Sequence, residues 1–342
     1  MTSIHSRRLP RRLRAAGARC LSLLAPLAAI AGCSVLLAAL VVPPVGPPEV
    51  PEAARWQPGA VHAGFALRFH NEISRLRISS TSVLPGETLE IEAVGRDGSV
   101  RTDVLADSAQ AVAVRPGVWR WHAPAVPGLH TLHLVSALGR PDSVLLNIFV
   151  TVPRTLLKGP WLNGYRIGSY PPAEVVQGTR VEPPAGFIEV TQGNLDTPVS
   201  PHFRLGQFLC KEPGGFPKYV VLNDRLPLKL EALLEKAKAE GLRVSNFALM
   251  SGYRTPYYNR LIGNRTTFSR HLWGAAADIV VEDYNGDGRV NAKDTALLAG
   301  LAEQLERDPT QGNFVGGLGL YTSNESHGPF VHVDVRGRSA RW

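Results

Sequence analysis

The sequence predicts three parts: an N-terminal transmembrane helix, an all-β Ig-like sandwich, and a C-terminal α+β domain with an antiparallel sheet. Three observations carry this. Residues 20–42 are an uncharged apolar run behind six arginines. Between 61 and 153, short segments with an apolar residue at every second position alternate with turn sequences. After 153, helix-period and strand-period segments fall into separate blocks. A chain of 342 residues has room for about two globular domains, and 44% apolar against 19% charged residues fits folded rather than disordered material.

The run CLSLLAPLAAIAGCSVLLAALVV (20–42) is long enough to cross a hydrocarbon core of about 30 Å, and longer than the roughly 7–15 residues of a signal-peptide core. Arg7, Arg8, Arg11, Arg12, Arg14 and Arg19 precede it, with no acidic residue among them. The positive-inside rule therefore leaves 1–19 in the cytoplasm and exports the rest. The expected location is the cytoplasmic membrane, single-pass, with the body in the periplasm or another extracytoplasmic space. Ile30-Ala31-Gly32-Cys33 supplies the alternative, a lipoprotein anchored at Cys33, against which the apolar run continues to Val42. The net charge of +8 is mostly these six arginines; about +2 is left for the remainder. That is no footprint for phosphates, so nucleic acid is not an expected partner. Cys210 is the one cysteine after the run, so no intrachain disulfide is expected in the body, and the thiol reads as a buried apolar group.

Residues 43–60 open with PPVGPPEVPE and form a Pro-rich, extended linker. The sandwich over 61–153 rests on RLRISST, ETLEIEAVG, VWRWHAP, HTLHLVSA and SVLLNIFVTV, separated by LPGE, GRDGS, VPGLH and GRPDS. His130 and His133 lie three apart on one strand, hence on opposite faces, and do not share a metal. This region reads as a spacer or docking module. Residues 154–200 are an irregular connector. In 201–342 a helix is expected over 225–242, with Leu228, Leu230, Leu233 and Leu234 on its apolar side and Gly241 at its stop. Strands follow in RVSNFALMSGYR and AADIVVED, then the amphipathic helix DTALLAGLAEQLERD, then two antiparallel strands in GGLGLYT and FVHVDVRG.

His271 and Asp278 flank LWGAAA, whose small residues allow a tight turn and close packing; His332 lies mid-strand in FVHVDV. Two imidazoles and one carboxylate form a common catalytic zinc set that leaves a fourth position for water. Five residues past Asp278 comes DYNGDGRVNAKD, which fits a calcium loop. Asp283, Asn285 and Asp287 stand at loop positions one, three and five, and Gly288 at six, where the loop must turn. Arg289 offers its carbonyl at seven, Val290 is the apolar anchor at eight, Asn291 stands at nine and Asp294 at twelve. Aspartate at twelve is similar to dockerin-type loops, but a dockerin needs two repeats and one is present, so no cohesin partner is expected. The expected ions are a catalytic Zn2+ and a structural Ca2+ that pins the connection after Asp278.

SGYRTP, SRHLWGAAAD and FVHVDVRGRSARW resemble the zinc D-Ala-D-Ala carboxypeptidases and murein endopeptidases of the LAS metallopeptidase group, in particular the murein endopeptidase K-like branch. The resemblance covers about 201–342. Its pattern falls on Ser269, His271, Asp278, His332 and Asp334. It implies a zinc peptidase acting on peptidoglycan peptides, with His271, Asp278 and His332 on the metal. Arg254 matches the family arginine that binds substrate or stabilises the oxyanion, and Ser269 contacts substrate or caps the turn. One departure stands out. Many relatives place a glutamate three residues before the last histidine as general base, and here that position is Pro329. Asp334, on the same strand face as His332, is the candidate for proton transfer or for orienting a ligand; Glu325 and His327 are weaker candidates. A non-catalytic peptidoglycan-binding module that keeps the fold is the alternative.

Overall fold

The computed structural model describes residues 61–137, 142–308, 314–325 and 327–342. The apolar run 20–42, the Cys33 alternative and the linker 43–60 lie outside these residues. No helix among the described residues is long and apolar enough to cross a membrane.

Alternating segments become nine strands: β1 (His62–Phe69), β2 (Glu72–Leu76), β3 (Ile78–Val83), β4 (Thr88–Val94), β5 (Val104–Ala106), β6 (Ala111–Arg115), β7 (Val118–His122), β8 (Gly128–Ser136) and β9 (Ser143–Val150). They form two sheets, ordered β2-β1-β4-β7-β6 and β3-β9-β8-β5. Only β3 and β9 pair in parallel. Phe65, Leu67, Ile91, Trp121, Leu132 and Ile148, drawn from both sheets, share one apolar core. His130 turns toward Trp121, with ring centroids 5.5 Å apart, and His133 is exposed, so the two histidines do lie on opposite faces.

These sheets are docked on the C-terminal part. Leu76 and Phe149 are buried in the C-terminal core. Thr81 Oγ1 donates to Asp224 Oδ2 at 2.8 Å, Arg225 pairs with Glu72, and Asn147 Nδ2 donates to the Pro198 carbonyl at 2.8 Å. All described residues fall into one compact unit.

The connector holds more structure than expected. Just after β10 (Val152–Pro153), it contains the hairpins β11 (Trp161–Leu162) with β12 (Tyr165–Arg166) and β13 (Glu174–Val176) with β14 (Thr179–Val181), and β15 (Gly186–Val190). With β16 (Lys218–Val220), β10 and β15 make a three-stranded sheet in the order β10-β15-β16. Segments this short carry too few alternations to stand out in sequence.

The C-terminal part is built from α1 (Arg225–Ala239), β17 (Leu249–Ser251), α2 (Pro256–Leu261), β18 (Ala276–Val280), α3 (Ala292–Arg307), β19 (Gly317–Tyr321), β20 (Phe330–Asp334) and β21 (Ala340–Arg341). The sheet order is β17-β18-β20-β19-β21, antiparallel except for the parallel pair β19 and β21. Leu230 and Leu234 of α1 and Leu298 and Leu305 of α3 bury into its core. Lys229, fully buried, donates to Glu306 Oε1 at 2.9 Å and to the Asp334 carbonyl at 2.8 Å, which ties both long helices to the end of β20. Helix α2 was not expected. Its start is chemically clear, since Thr255 Oγ1 accepts from the Tyr258 N–H and Pro256 occupies the first turn.

Candidate metal centre

Sheet register brings the first two candidate ligands together. Asp278 in β18 lies directly opposite His332 in β20, so both side chains leave the same face of the sheet. His271 comes from a one-turn 3-10 helix, Arg270–Trp273, that ends at Gly274 with φ +59°. A Cβ at Gly274 would lie 1.9 Å from the Val221 carbonyl oxygen, so the tight passage from His271 into β18 requires glycine there.

Three ligand atoms converge. His271 Nε2 is 3.2 Å from Asp278 Oδ1 and 3.2 Å from His332 Nδ1, and His332 Nδ1 is 2.8 Å from Asp278 Oδ1. All three residues are buried. Zinc bonds of about 2.0–2.1 Å in a tetrahedron put neighbouring ligand atoms ~3.3 Å apart, so this triangle is the size of one face of a zinc site. Among the described residues it is the one group of three or more His, Cys, Asp or Glu that could hold a metal ion.

The remaining atoms of the ligands are already committed. His271 Nδ1 donates to the Gly252 carbonyl at 2.6 Å, which leaves Nε2 with its lone pair toward the triangle. His332 Nε2 donates to Asp334 Oδ2 at 3.3 Å, which leaves Nδ1 for the metal. Asp278 Oδ2 takes the Arg254 guanidinium, whose Nε is held by Ser251 Oγ at 2.8 Å. Burial pushes the Asp278 carboxyl up, but His271 and His332 outweigh it and hold it well below the usual carboxylate range. Burial pulls His271 down. It pulls His332 down too, yet its hydrogen bonds to the Asp278 and Asp334 carboxylates prevail and raise that imidazole above its usual value.

Of the two roles expected for Asp334, its contacts suit orienting His332 better than proton transfer. It is fully buried. Its Oδ1 accepts the N–H of Gly317 at 2.8 Å and that of Arg336 at 3.0 Å, and the Arg336 guanidinium grips both oxygens. Burial raises its pKa, but the bonds from His332 and Arg336 win and hold it well below the carboxylate range. A carboxylate so satisfied is a poor proton acceptor near neutrality. Pro329 offers no side-chain acceptor, and Glu325 is exposed and does not line the cleft. His327 does line it, with Nδ1 donating to the Gly328 carbonyl at 2.8 Å and Nε2 2.8 Å from Asn324 Nδ2.

A cleft of about 980 Å³ opens over the triad. Arg254 and Ser269 line its floor. Ser269 makes no cap to the 3-10 helix, so the capping role considered for it is absent. Tyr258, Phe268, Tyr321, Phe330 and Trp342 form aromatic walls that the sequence reading missed. Tyr321 stacks on Phe330 at 4.3 Å, and the Trp342 ring lies 5.1 Å from that of His332. Gly319, opposite His332 on β19, makes room: a Cβ there would lie 2.4 Å from Trp342 Nε1. The glycines of GGLGLYT were the available signal.

The calcium candidates behave differently. Asp283 accepts the N–H groups of Gly286, Asp287 and Gly288, and Asp287 Oδ1 accepts that of Arg289. Asn285 Oδ1 accepts from Asp287 N–H, and Asn291 Nδ2 donates to the Arg289 carbonyl at 3.4 Å. Asp294, fully buried, accepts from Tyr284, Asn285 and Asn291, and with Asn291 forms the capping box of α3. The loop is thus closed by backbone donors. Asp283, Asp287 and Asp294 are not among the metal-holding groups found in the described residues.

Residues 224–334 match the family model described as Peptidase M15, a zinc peptidase family. The match spans His271, Asp278, His332 and Asp334 and leaves out the two-sheet region. No curated protein and no solved structure matches the chain.

Proposed function

We propose that the C-terminal part is a zinc peptidase that hydrolyses amide bonds in peptidoglycan stem peptides or cross-links, held outside the cytoplasm by the anchor at 20–42. The observation that carries this is the buried triangle of His271 Nε2, Asp278 Oδ1 and His332 Nδ1, inside the segment matched to Peptidase M15. His271, Asp278 and His332 would hold Zn2+, which would supply Lewis acidity and make water a stronger acid near neutral pH. Around it, Gly252 and Asp334 fix which nitrogen of each imidazole faces inward. Arg254, anchored on Asp278, stands at the cleft floor, where a guanidinium stabilises negative charge developing on the scissile carbonyl. His327 lines the cleft and is the candidate for proton transfer. The aromatic walls exclude water and seat the peptide.

A second reading, a non-catalytic peptidoglycan-binding module, is favoured by one observation: among the described residues Asp278 is the one Asp or Glu lining the cleft, and Pro329 occupies the position where many relatives carry glutamate. Mass analysis of defined muropeptides after incubation with the zinc-loaded chain separates the two. Products that differ from substrate by one added water per cut bond support the peptidase; bound but intact muropeptides support the module. From the sequence pattern of 283–294 we also propose a structural Ca2+ at that loop, tested by its effect on melting.

A further inference from the structure

Positive charge in the cleft exceeds what the protein uses. Among the described residues, Lys211, Arg254, Arg270 and Arg336 line it against one Asp or Glu, Asp278. Arg254 is tied to Asp278 and Ser251 and is already assigned to the scissile carbonyl. Arg336 is spent on Asp334, which lies buried beneath it. Arg270 is different. It is half-buried on the cleft wall, and its side chain has no hydrogen-bond or ion-pair acceptor among the described residues. Arg336 lines the same cleft, and its guanidinium is gripped by Asp334. A partly desolvated guanidinium among like charges is stabilised by an incoming anion. Its planar fork suits a carboxylate in particular. Arg270 lines the same cleft as His271, Asp278 and His332, so an anion bound there shares the cleft with the metal triad.

We infer that Arg270, with Arg336 in the same cleft lining, is a subsite for a carboxylate of the peptide substrate in the cleft that holds the metal triad. The inference rests on the peptidase reading of this cleft. Two sources share that chemistry. One is the α-carboxylate of a terminal residue, which makes the enzyme a carboxypeptidase. The other is a side-chain carboxylate next to an internal bond, which suits an endopeptidase.

Three synthetic stem peptides test this: one with a free terminal carboxylate, one with a terminal amide, and one with its internal side-chain carboxylate amidated. Each is given to the zinc-loaded chain for kcat/KM, and to the metal-free chain for calorimetric binding, a readout that needs no turnover. Amidation at the recognised carboxylate is expected to cost the wild type about 10- to 100-fold, the scale of a lost charge-assisted hydrogen bond. Arg270→Gln should remove that preference, leaving acid and amide within about threefold, while melting temperature and zinc content stay unchanged. Arg270→Lys should restore part of it. Whichever amidation matters identifies the source. Equal treatment of all three peptides by the wild type, or a preference that survives Arg270→Gln, overturns the subsite. Cleavage without preference leaves the peptidase standing and removes the subsite. Preferential binding without cleavage removes the peptidase and keeps the subsite.

Discussion

Two donor-rich segments lie five residues apart in this chain, and they end in opposite states. At His271, Asp278 and His332, each ligand has one atom held by a group outside the triangle and one turned toward the other two. At 283–294, the carboxylates of Asp283, Asp287 and Asp294 are taken up by backbone N–H groups. Both segments read as metal sites in sequence, because residue type and spacing are the same kind of signal in each. What separates them is where the lone pairs go. Three ligand atoms turned on one another in a buried triangle are arranged to share one cation; a carboxylate that accepts several N–H groups is already stabilised.

The largest effect expected is at the triad. His271→Ala removes a ligand whose place no neighbour can take, so activity should vanish and bound zinc should fall well below one per chain by metal analysis. Full zinc with surviving turnover would show that the two segments had been ranked wrongly. Next comes Asp334→Asn. As an orienting group it should cost about 10- to 100-fold in zinc affinity, measured by competition with a chelator, with turnover largely restored at saturating zinc. A loss of turnover of about 10²–10⁴ at full zinc occupancy would instead return Asp334 to the role of base.

Protons sharpen the same contrast. His332 must be free at Nδ1 to bind metal, and its neighbours hold the imidazole above its usual value. Its protonated form therefore persists to higher pH than usual. Zinc affinity should be full above that raised value and fall as pH drops through it, by about tenfold per pH unit for a single competing proton. The loop 283–294 contains no histidine. Zinc affinity that is level between pH 8 and 5.5 would contradict the assigned atoms.

Smaller effects belong to the loop. Asp294→Ala strips a buried acceptor from Tyr284, Asn285 and Asn291, and should destabilise the chain by about 1–3 kcal/mol in denaturant unfolding. The effect should be present with or without calcium. Calcium itself, at a hundredfold excess over its Kd, would add about 2.7 kcal/mol. Because backbone donors hold the loop closed, a calcium-selective chelator should lower melting without releasing zinc. An identical melting curve with and without calcium would leave the segment as a capped turn.

Much of this was legible in the sequence, for identifiable reasons. The zinc candidates could be named because Asp278 and His332 sit in strands whose alternation fixes their faces, and because LWG marks the turn that returns His271 to them. Helix α1 was readable from its leucines and from Gly241, whose φ of +80° ends it. The cleft walls were not. Trp342 reaches His332, and Tyr321 meets Phe330, only through the β20-β19-β21 pairing, which spacing does not reveal. The role of Asp334 was open because its partner Arg336 was read only as part of a motif. Docking of the two-sheet region through Asp224 and Arg225 depends on contacts across more than a hundred residues of sequence.

The central claim is that three buried side chains hold one zinc and that this zinc cuts stem peptides. Stepwise addition of zinc to the metal-free full chain, with bound metal and muropeptide product followed together, tests it most directly. The account predicts that product formation rises in proportion to bound zinc, reaches its limit at one equivalent, and is absent from the His271→Ala chain. Product without zinc, or one tightly bound equivalent with no product at all, would contradict it.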